Sequence, residues 1–343
     1  MFTNPKSIKL MAVALLSVLS VSVSTQVSAK EVNIYSYRQP FLIEPILAQF
    51  SEQTGIKTNV VFAKKGLLEK LKKEGRYSPA DVLLTSDFAR LIEMTEAGLS
   101  QAVRSDVLNA NIPQHFRDSD QHWYALTKRV RNIYASKERM GDLTNISYED
   151  LAKPEYRGKI CMRSSKHPYN IALIASMIAH HGEQQTRVWL EGVKANLARK
   201  PQGNDRAQVR AIKEGECDLG LGNSYYFGVM QQNPEQKAWA DAVNILFPNQ
   251  QSRGAHVNVS GIALTKYAPN KDEAIKLMEF LSSQAAQQAY ASVNMEYPVN
   301  PNVAASDIVA SWGTFKEDTI ALSEITKHRK TAIKLLDQLK FDL

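Results

Sequence analysis

Residues 31–62 read EVNIYSYRQPFLIEPILAQFSEQTGIKTNVVF, and this stretch carries the pattern that decides the fold. The apolar run at 32–35 predicts a strand, residues 41–54 keep helical spacing, and residues 57–62 predict a second strand. The alternation continues with a helix at 67–74, a strand at 81–84 and a helix at 88–97. Strands that alternate with helices are typical of parallel sheets covered by helices on both faces. The sequence therefore predicts an α/β protein.

The same alternation resumes in the second part of the chain. Further strands are predicted at 131–135, 159–162, 219–222 and 257–265. Further helices are predicted at 170–181, 187–198, 205–214, 271–283 and 316–340. A chain of 343 residues is long enough for two domains of ordinary size, and this number of strands predicts two lobes.

The first 29 residues have the pattern of a secretory signal peptide. Two lysines precede an apolar run at 10–23, and small residues stand just before Lys30. Serines interrupt the run, which is also shorter than the roughly 20 apolar residues that a membrane helix needs. We therefore expect a mature protein that begins near Lys30, does not insert into a membrane and resides in the bacterial periplasm.

Charge and cysteine content further limit the classes of protein to which the sequence can belong. The net charge of +7 is spread along the chain without a dense basic run, so a nucleic-acid partner is not predicted. The two cysteines, Cys161 and Cys217, form an even pair in a secreted chain. In an oxidising compartment such a pair predicts one disulfide.

Three tyrosines stand where a strand ends and a helix begins. Tyr225 and Tyr226 follow the predicted strand at 219–222, and Tyr169 precedes the predicted helix at 170–181. Ligands of open parallel sheets bind at the loops beyond the carboxyl ends of strands. The alternative interpretation of the run Tyr225-Tyr226-Phe227 is an aromatic cluster in the core.

Phenolate chemistry favours one kind of ligand for these tyrosines. A phenolate is a hard, anionic oxygen donor, and a highly charged cation compensates for the loss of its proton. Three phenolates neutralise one Fe³⁺ and leave coordination positions for water or a small anion. An arginine could hold that anion, and the candidates are Arg38, Arg129 and Arg131.

The motifs of common enzymes are absent from the sequence. There is no HExxH zinc motif, no GxSxG nucleophile turn, and no GxGxxG or Walker phosphate loop. We therefore expect a binding protein rather than an enzyme.

Several segments resemble one known family. They are residues 33–38, 78–83, 152–159, 163–165 with Tyr169-Asn170, 222–226 and 256–261. Through them the chain from Glu31 to Leu343 resembles the periplasmic ferric-ion-binding proteins that serve iron ABC transporters. The resemblance implies the two-lobed type II periplasmic binding protein fold, with a ligand cleft between the lobes and two hinge crossings. It implies a first lobe of residues 30–129 and about 248–343, including the C-terminal helices, and a second lobe of residues 130–247.

The resemblance also assigns roles to residues. It implies that Tyr169, Tyr225 and Tyr226 bind Fe³⁺ and that Arg129 holds a synergistic carbonate, with Arg131 as the second choice. Many relatives carry Ser-Arg-His-Tyr in the first loop, whereas this chain has Gln39 and Pro40 at the last two positions. First-lobe ligands are therefore replaced by an anion or water, unless Tyr37 or Arg38 of the same loop contributes.

The partner implied by the resemblance is an inner-membrane ABC permease, to which a monomeric binding protein delivers its iron. Two other functions stay open on the sequence. One is a receptor for another small anion or a polyamine on the same fold, and the other is a secreted hydrolase.

Overall fold

A computed structural model describes residues 30–343, so the predicted signal peptide lies outside the described residues. The strands are β1 (Glu31–Ser36), β2 (Lys57–Phe62), β3 (Val82–Thr85), β4 (Tyr124–Ser136), β5 (Ile160–Cys161), β6 (Leu219–Asn223), β7 (Val243–Leu246), β8 (Val257–Leu264) and β9 (Tyr297–Pro298). The helices are α1 (Pro40–Thr54), α2 (Leu67–Glu74), α3 (Phe88–Glu96), α4 (Asp106–Asn111), α5 (Lys137–Met140), α6 (Pro168–Ala195), α7 (Asp205–Lys213), α8 (Ser224–Gln232), α9 (Lys237–Asp241), α10 (Lys271–Ser282), α11 (Gln284–Asn294), α12 (Asp307–Ala310), α13 (Leu322–Lys327) and α14 (Arg329–Gln338). The predicted α/β class is confirmed.

The strands are packed between helices, which explains their apolar sequence. Every residue of β3, β6 and β8 is buried. Strands that are covered on both faces lose the alternation of apolar and polar residues and become continuous apolar runs. Helix α1 buries Ile43, Ile46, Leu47 and Phe50, a spacing of three and four residues that forms one apolar face.

The sheet is mixed, so the parallel strands that the alternation predicts form only part of it. Strand β1 pairs in parallel with β2 and β3, as predicted. Strand β8, however, is antiparallel to both β3 and β4, and β4 is antiparallel to β6 and β7. The reason is that β4 runs from one half of the structure to the other while β8 runs beside it in the opposite direction.

Strand β4 joins the two halves of the structure. Up to Val130 it pairs with β8, and from Arg131 onwards it pairs with β6. This exchange of partners lies next to the predicted lobe boundary after residue 129. The division into lobes stays a prediction, and the C-terminal helices α13 and α14 pack on α6, which that division assigns to the second lobe.

Two helical regions are interrupted at positions that differ from the prediction. The predicted helices at 170–181 and 187–198 form the single stretch α6, which is interrupted at Gly182 (φ 77°, ψ 169°). Glycine is suited to this backbone conformation because it has no Cβ atom. The predicted helix at 316–340 is instead the pair α13 and α14, which His328 separates.

Cys161 and Cys217 form the predicted disulfide. Their Cα atoms are 5.9 Å apart, and the bond links the end of β5 to the residues just before β6. Because β6 leads directly into the helix that carries Tyr225 and Tyr226, the disulfide anchors the strand on which those tyrosines depend.

Candidate metal site

The three predicted tyrosines lie in the first turns of two helices. Tyr169 is the second residue of α6, after Pro168, and its backbone N–H donates to Nδ1 of His167 at 3.4 Å. Proline is suited to the first position of a helix because its missing N–H would have no partner there. Tyr225 and Tyr226 follow Ser224, the first residue of α8.

The structure brings the three side chains together. The hydroxyl oxygens of Tyr169 and Tyr225 are 3.3 Å apart. The rings of Tyr225 and Tyr226 are tilted by 34° to each other, with their centroids 4.1 Å apart. All three half-buried side chains line one cleft of about 550 Å³, which residues from both halves of the structure enclose. The three side chains therefore face a cleft and do not form a closed aromatic core.

Close packing fixes the start of α8. A Cβ atom on Gly222 would lie 2.3 Å from the ring of Tyr134, so only glycine fits there without a shift. The hydroxyl of Tyr134 donates to the backbone oxygen of Asn223 at 2.9 Å. The strand end that precedes Tyr225 is therefore held against the sheet.

A buried ionic network lies beside the starts of α6 and α8. Arg131 and Arg163 both form ion pairs with Asp205, the first residue of α7, which is fully buried. Arg131 also donates to the side-chain oxygens of Asn170 at 2.6 Å and of Asn223 at 3.1 Å. These two asparagines flank the tyrosines in sequence, so Arg131 positions both helix starts.

The two candidate arginines on β4 therefore have different surroundings. Arg131 forms an ion pair with Asp205 and is not among the residues that line the cleft, whereas Arg129 lines it. Arg129 is 1% exposed, and its guanidinium carbon lies 5.8 Å from the ring centroid of Tyr169. Its Nη2 donates to Asn258 at 3.3 Å, and its Nη1 lies 3.5 Å from Oε1 of Glu296.

Arg129 retains buried donors for a ligand. Its Nε and Nη1 have no hydrogen-bond partner among the described residues. A buried donor without a partner costs free energy, and an anion in the cleft would remove that cost. Of Arg129 and Arg131, only Arg129 both has free donors and lines the cleft.

Burial changes the acidity of the tyrosines. It raises the pKa of Tyr226 to about 12, and the neighbouring Tyr169 adds to this effect. Burial also raises the pKa of Tyr225 well above its usual value, with further contributions from Tyr169 and Tyr226. Both phenols are therefore protonated at neutral pH, and a bound cation must displace their protons.

The first loop lines the opposite side of the cleft. The hydroxyl of Tyr37 accepts a hydrogen bond from the backbone N–H of Leu68 at 2.9 Å, so it is engaged at the start of α2 and not with the three tyrosines. Arg38 forms a buried ion pair with Glu296. Gln39 also lines the cleft but is exposed.

His167 and Glu296 are among the cleft residues that sequence reasoning missed. Burial and the nearby Arg163 lower the pKa of His167 to about 3, so this imidazole is neutral at physiological pH. The run from His167 to Tyr169 could have indicated it, because it has the pattern of a helix start. Glu296 gave no local signal, since it lies between α11 and β9 and meets Arg38 and Arg129 only in the folded chain.

Other kinds of site find little support in the part of the chain that the structure describes. Residues 30–343 contain no group of three or more His, Cys, Asp or Glu side chains that could hold a metal ion. Across the same residues every helix is too short or too polar to span a bilayer.

The structure has two α/β halves that are joined through β4, and side chains of ligand type line the cleft between them. This arrangement is that of a solute-binding protein with the two-lobed type II fold. The chain belongs to the family of bacterial extracellular solute-binding proteins, whose sequence model matches residues 58–316. The predicted fold and family are confirmed.

Individual relatives cover nearly the whole chain. Iron uptake protein A1 of Synechocystis sp. is 43% identical over 312 residues, which are 90% of this chain and 87% of that protein. The apo ferric ion-binding protein A of Pasteurella haemolytica is 54% identical, with a TM-score of 0.88 over 92% of this chain and 99% of that one. A Trichodesmium protein solved with iron and citrate is 41% identical, with a TM-score of 0.86 over 91% of this chain and 99% of that one.

Proposed function

We propose that this protein binds Fe³⁺ in its cleft through the phenolate oxygens of Tyr169, Tyr225 and Tyr226 and delivers it to an inner-membrane ABC permease. The observation that carries the proposal is the convergence of three tyrosine side chains on one wall of the cleft. The iron is cargo, and no covalent bond of a substrate is made or broken.

The donor set matches the ion. Phenolate oxygen is a hard donor, and three phenolates balance the charge of one ferric ion. The cost of removing protons from buried phenols is large, so an ion of lower charge compensates for it less well. The names of the relatives from Synechocystis and Pasteurella haemolytica, an iron uptake protein and a ferric ion-binding protein, support the same cargo.

Arg129 completes the proposed site by holding a carbonate beside the iron. Its buried Nε and Nη1 donate no hydrogen bond within residues 30–343, and its guanidinium group lies near the ring of Tyr169. The Trichodesmium relative, which was solved with iron and citrate, supports an anion at the metal. Glu296 leaves this arginine partly free because it also pairs with Arg38.

The proposed site of action is the periplasm, where the mature chain would act as a monomer after removal of residues 1–29. The exchange of strand partners at Val130 and Arg131 provides a hinge about which the halves can close on the ion. The closed, iron-loaded form would be the one that the permease recognises.

Metal selectivity tests the proposed function. Apoprotein dialysed against equal concentrations of Fe³⁺, as its nitrilotriacetate complex, and Zn²⁺ should retain one iron per chain and little zinc, measured by elemental analysis. The reason is that all three proposed ligands are hard oxygen donors. A protein that retains more zinc than iron, or that retains no metal at all, would contradict the proposal.

The role of Arg129 gives a second expectation. Arg129→Ala should lower the affinity for Fe³⁺ in bicarbonate buffer by about ten- to hundredfold, a range typical of residues that support metal ligands. It should also remove most of the dependence of affinity on bicarbonate. Arg210→Ala is the matched control, because Arg210 lies on the exposed face of α7 and pairs with Glu214. An unchanged bicarbonate dependence in Arg129→Ala would exclude Arg129 as the anion-binding residue.

A further inference from the structure

The chain that follows α14 returns to the loop that leads into Tyr169. This loop, residues 162–167, connects β5 to α6. Oδ2 of Asp342 accepts a hydrogen bond from the hydroxyl of Ser164 at 2.6 Å, and its Oδ1 accepts one from the backbone N–H of Ser165 at 2.9 Å. Hydrogen bonds to a carboxylate are charge-assisted and therefore stronger than those between neutral groups. Asp342 thus ties the loop to a segment that lies more than 170 positions away in sequence.

Ser164 connects Asp342 to the start of α6. Its backbone oxygen accepts from the backbone N–H of His167 at 3.1 Å and from the side-chain amide of Asn170 at 3.0 Å. His167 in turn accepts from the backbone N–H of Tyr169 at 3.4 Å. A continuous series of hydrogen bonds therefore runs from Asp342 through Ser164 and His167 to Tyr169.

A second link between this loop and α14 is exposed to solvent. Lys166 forms an ion pair with Asp337, and the two side chains are 54% and 55% exposed. Ion pairs between exposed side chains contribute little to stability. The contact of Asp342 differs, because Asp342 and Ser164 are partly buried and Ser165 is fully buried. Asp342 is therefore the stronger link of the two.

The end of α14 directs Asp342 towards the loop. Lys340 has φ 45°, a left-handed conformation that is uncommon for residues other than glycine. Its N–H donates to the backbone oxygen of Asp337 at 3.1 Å, and the N–H of Phe341 donates to that of Leu336 at 3.1 Å. This pair of bonds is the Schellman motif, in which the chain reverses at the end of a helix. Phe341 and Leu336 are both buried, which fixes the reversal.

Helix α6 supports the same turn from its far end. Nζ of Lys194 donates to the backbone oxygens of Leu339 at 2.8 Å and of Lys340 at 2.6 Å. Helix α14 also packs against α6. An uncommon backbone conformation such as that of Lys340 persists only where the surrounding contacts determine it. The position of Asp342 relative to α6 is therefore fixed.

The three tyrosines differ in how their helices begin. Tyr225 and Tyr226 follow directly on β6, which is paired in the sheet. Tyr169 instead follows the irregular loop at 162–167. A functional group of a binding site must be held within about 0.5 Å of its productive position. Tyr169 is thus the tyrosine whose position depends most on contacts outside the sheet.

We propose that Asp342 is a positioning residue of the metal site, which holds the loop at 162–167 and thereby keeps the phenol of Tyr169 in place for the metal. The inference rests on the proposed binding of Fe³⁺ by Tyr169. Residues that orient a metal ligand affect the affinity for the metal although they do not touch it.

Substitutions of Asp342 test this role. Asp342→Ala should lower the affinity for Fe³⁺ by about tenfold, measured by competition with chelators of known strength. Asp342→Asn should restore most of the loss, because an amide oxygen accepts from Ser165 and an amide nitrogen donates to the hydroxyl oxygen of Ser164. Asp337→Ala is the matched control, since it removes the exposed ion pair between the same loop and α14. It should bind iron as the wild type does.

A double-mutant cycle separates positioning of Tyr169 from a general loss of structure. In the Tyr169→Phe background, Asp342→Ala should lower the affinity by less than about twofold, because the ligand that it positions is absent. In the Tyr226→Phe background, Asp342→Ala should keep its effect of about tenfold. A purely structural role would give equal losses in the two backgrounds.

Hydrogen exchange of the apoprotein gives a second readout, which does not need iron. Asp342→Ala should speed the exchange of the backbone N–H groups of residues 165–170, whereas those of α8 should exchange as in the wild type. Ser164→Ala leaves Asp342 in place and removes one of its two hydrogen bonds. This variant should change exchange and affinity in the same direction by a smaller factor, and it decides the question if Asp342→Ala does not fold.

The outcomes separate the two proposals. Unchanged affinity and exchange in the variants of Asp342 and Ser164, or equal losses in the two tyrosine backgrounds, would overturn the positioning role and leave the iron site standing. Absence of any phenolate-to-iron absorbance in the wild type contradicts the iron site itself, and the positioning role with it.

Discussion

Replacement of Tyr225 by phenylalanine should lower the affinity for Fe³⁺ by at least about hundredfold. Loss of groups that only support metal ligands costs about ten- to hundredfold, and loss of a charged ligand should cost no less. Tyr225 is the central member of the cluster, since its hydroxyl lies 3.3 Å from that of Tyr169 and its ring contacts that of Tyr226, with centroids 4.1 Å apart. The affinity is measured by competition with a chelator of known strength, such as nitrilotriacetate.

The control for this substitution is Tyr77→Phe. Tyr77 is 79% exposed, and its hydroxyl contacts only the neighbouring Arg76 among the described side chains, at 3.1 Å. This variant should bind iron as the wild type does. Phenylalanine preserves the ring of Tyr225, so the thermal stability of Tyr225→Phe should stay close to that of the wild type. Wild-type affinity in a folded Tyr225→Phe protein would contradict the assignment of this ligand.

Acid should release the iron steeply. Because the pKa values of Tyr225 and Tyr226 lie above neutral pH in the apoprotein, both phenols carry protons before the metal binds. Binding displaces at least these two protons, and each displaced proton makes the apparent affinity fall about tenfold for every unit by which the pH drops. From these two residues alone we expect a loss of about hundredfold per pH unit on going from pH 7 towards pH 5.

This pH dependence can be assigned to individual residues. A plot of the logarithm of the affinity against pH, measured in a non-coordinating buffer and corrected for the titration of the competing chelator, should have a slope of at least about two. In Tyr226→Phe the slope should fall by one, because one phenol proton fewer is displaced. His167 does not titrate in this range, since its pKa is about 3. A slope near zero in the wild type would exclude phenolate ligands.

Local signals made the tyrosines predictable. Tyr169, Tyr225 and Tyr226 stand at junctions between strands and helices, which short-range patterns of apolar residues reveal. The same patterns could not separate Arg129 from Arg131, because residues two apart on a strand point to the same side. Their surroundings differ through residues far away in sequence, such as Asp205, which lies more than 70 positions from Arg131 and pairs with it.

Long-range contacts account for most of what the sequence did not predict. The pairing of β8 with β3 and β4 joins segments that are far apart in the chain, so alternation of strands and helices nearby could not reveal its antiparallel direction. Glu296 meets Arg38 across 258 positions.

The most direct test of the central claim is the visible spectrum of the purified apoprotein after addition of chelated Fe³⁺. Iron bound to tyrosine oxygens gives a phenolate-to-iron charge-transfer band, so the solution should become coloured and the band should saturate at one iron per chain. In Tyr225→Phe the band should weaken and shift. A colourless wild-type protein, or one whose colour is the same after all three tyrosines are replaced by phenylalanine, would contradict the proposed site.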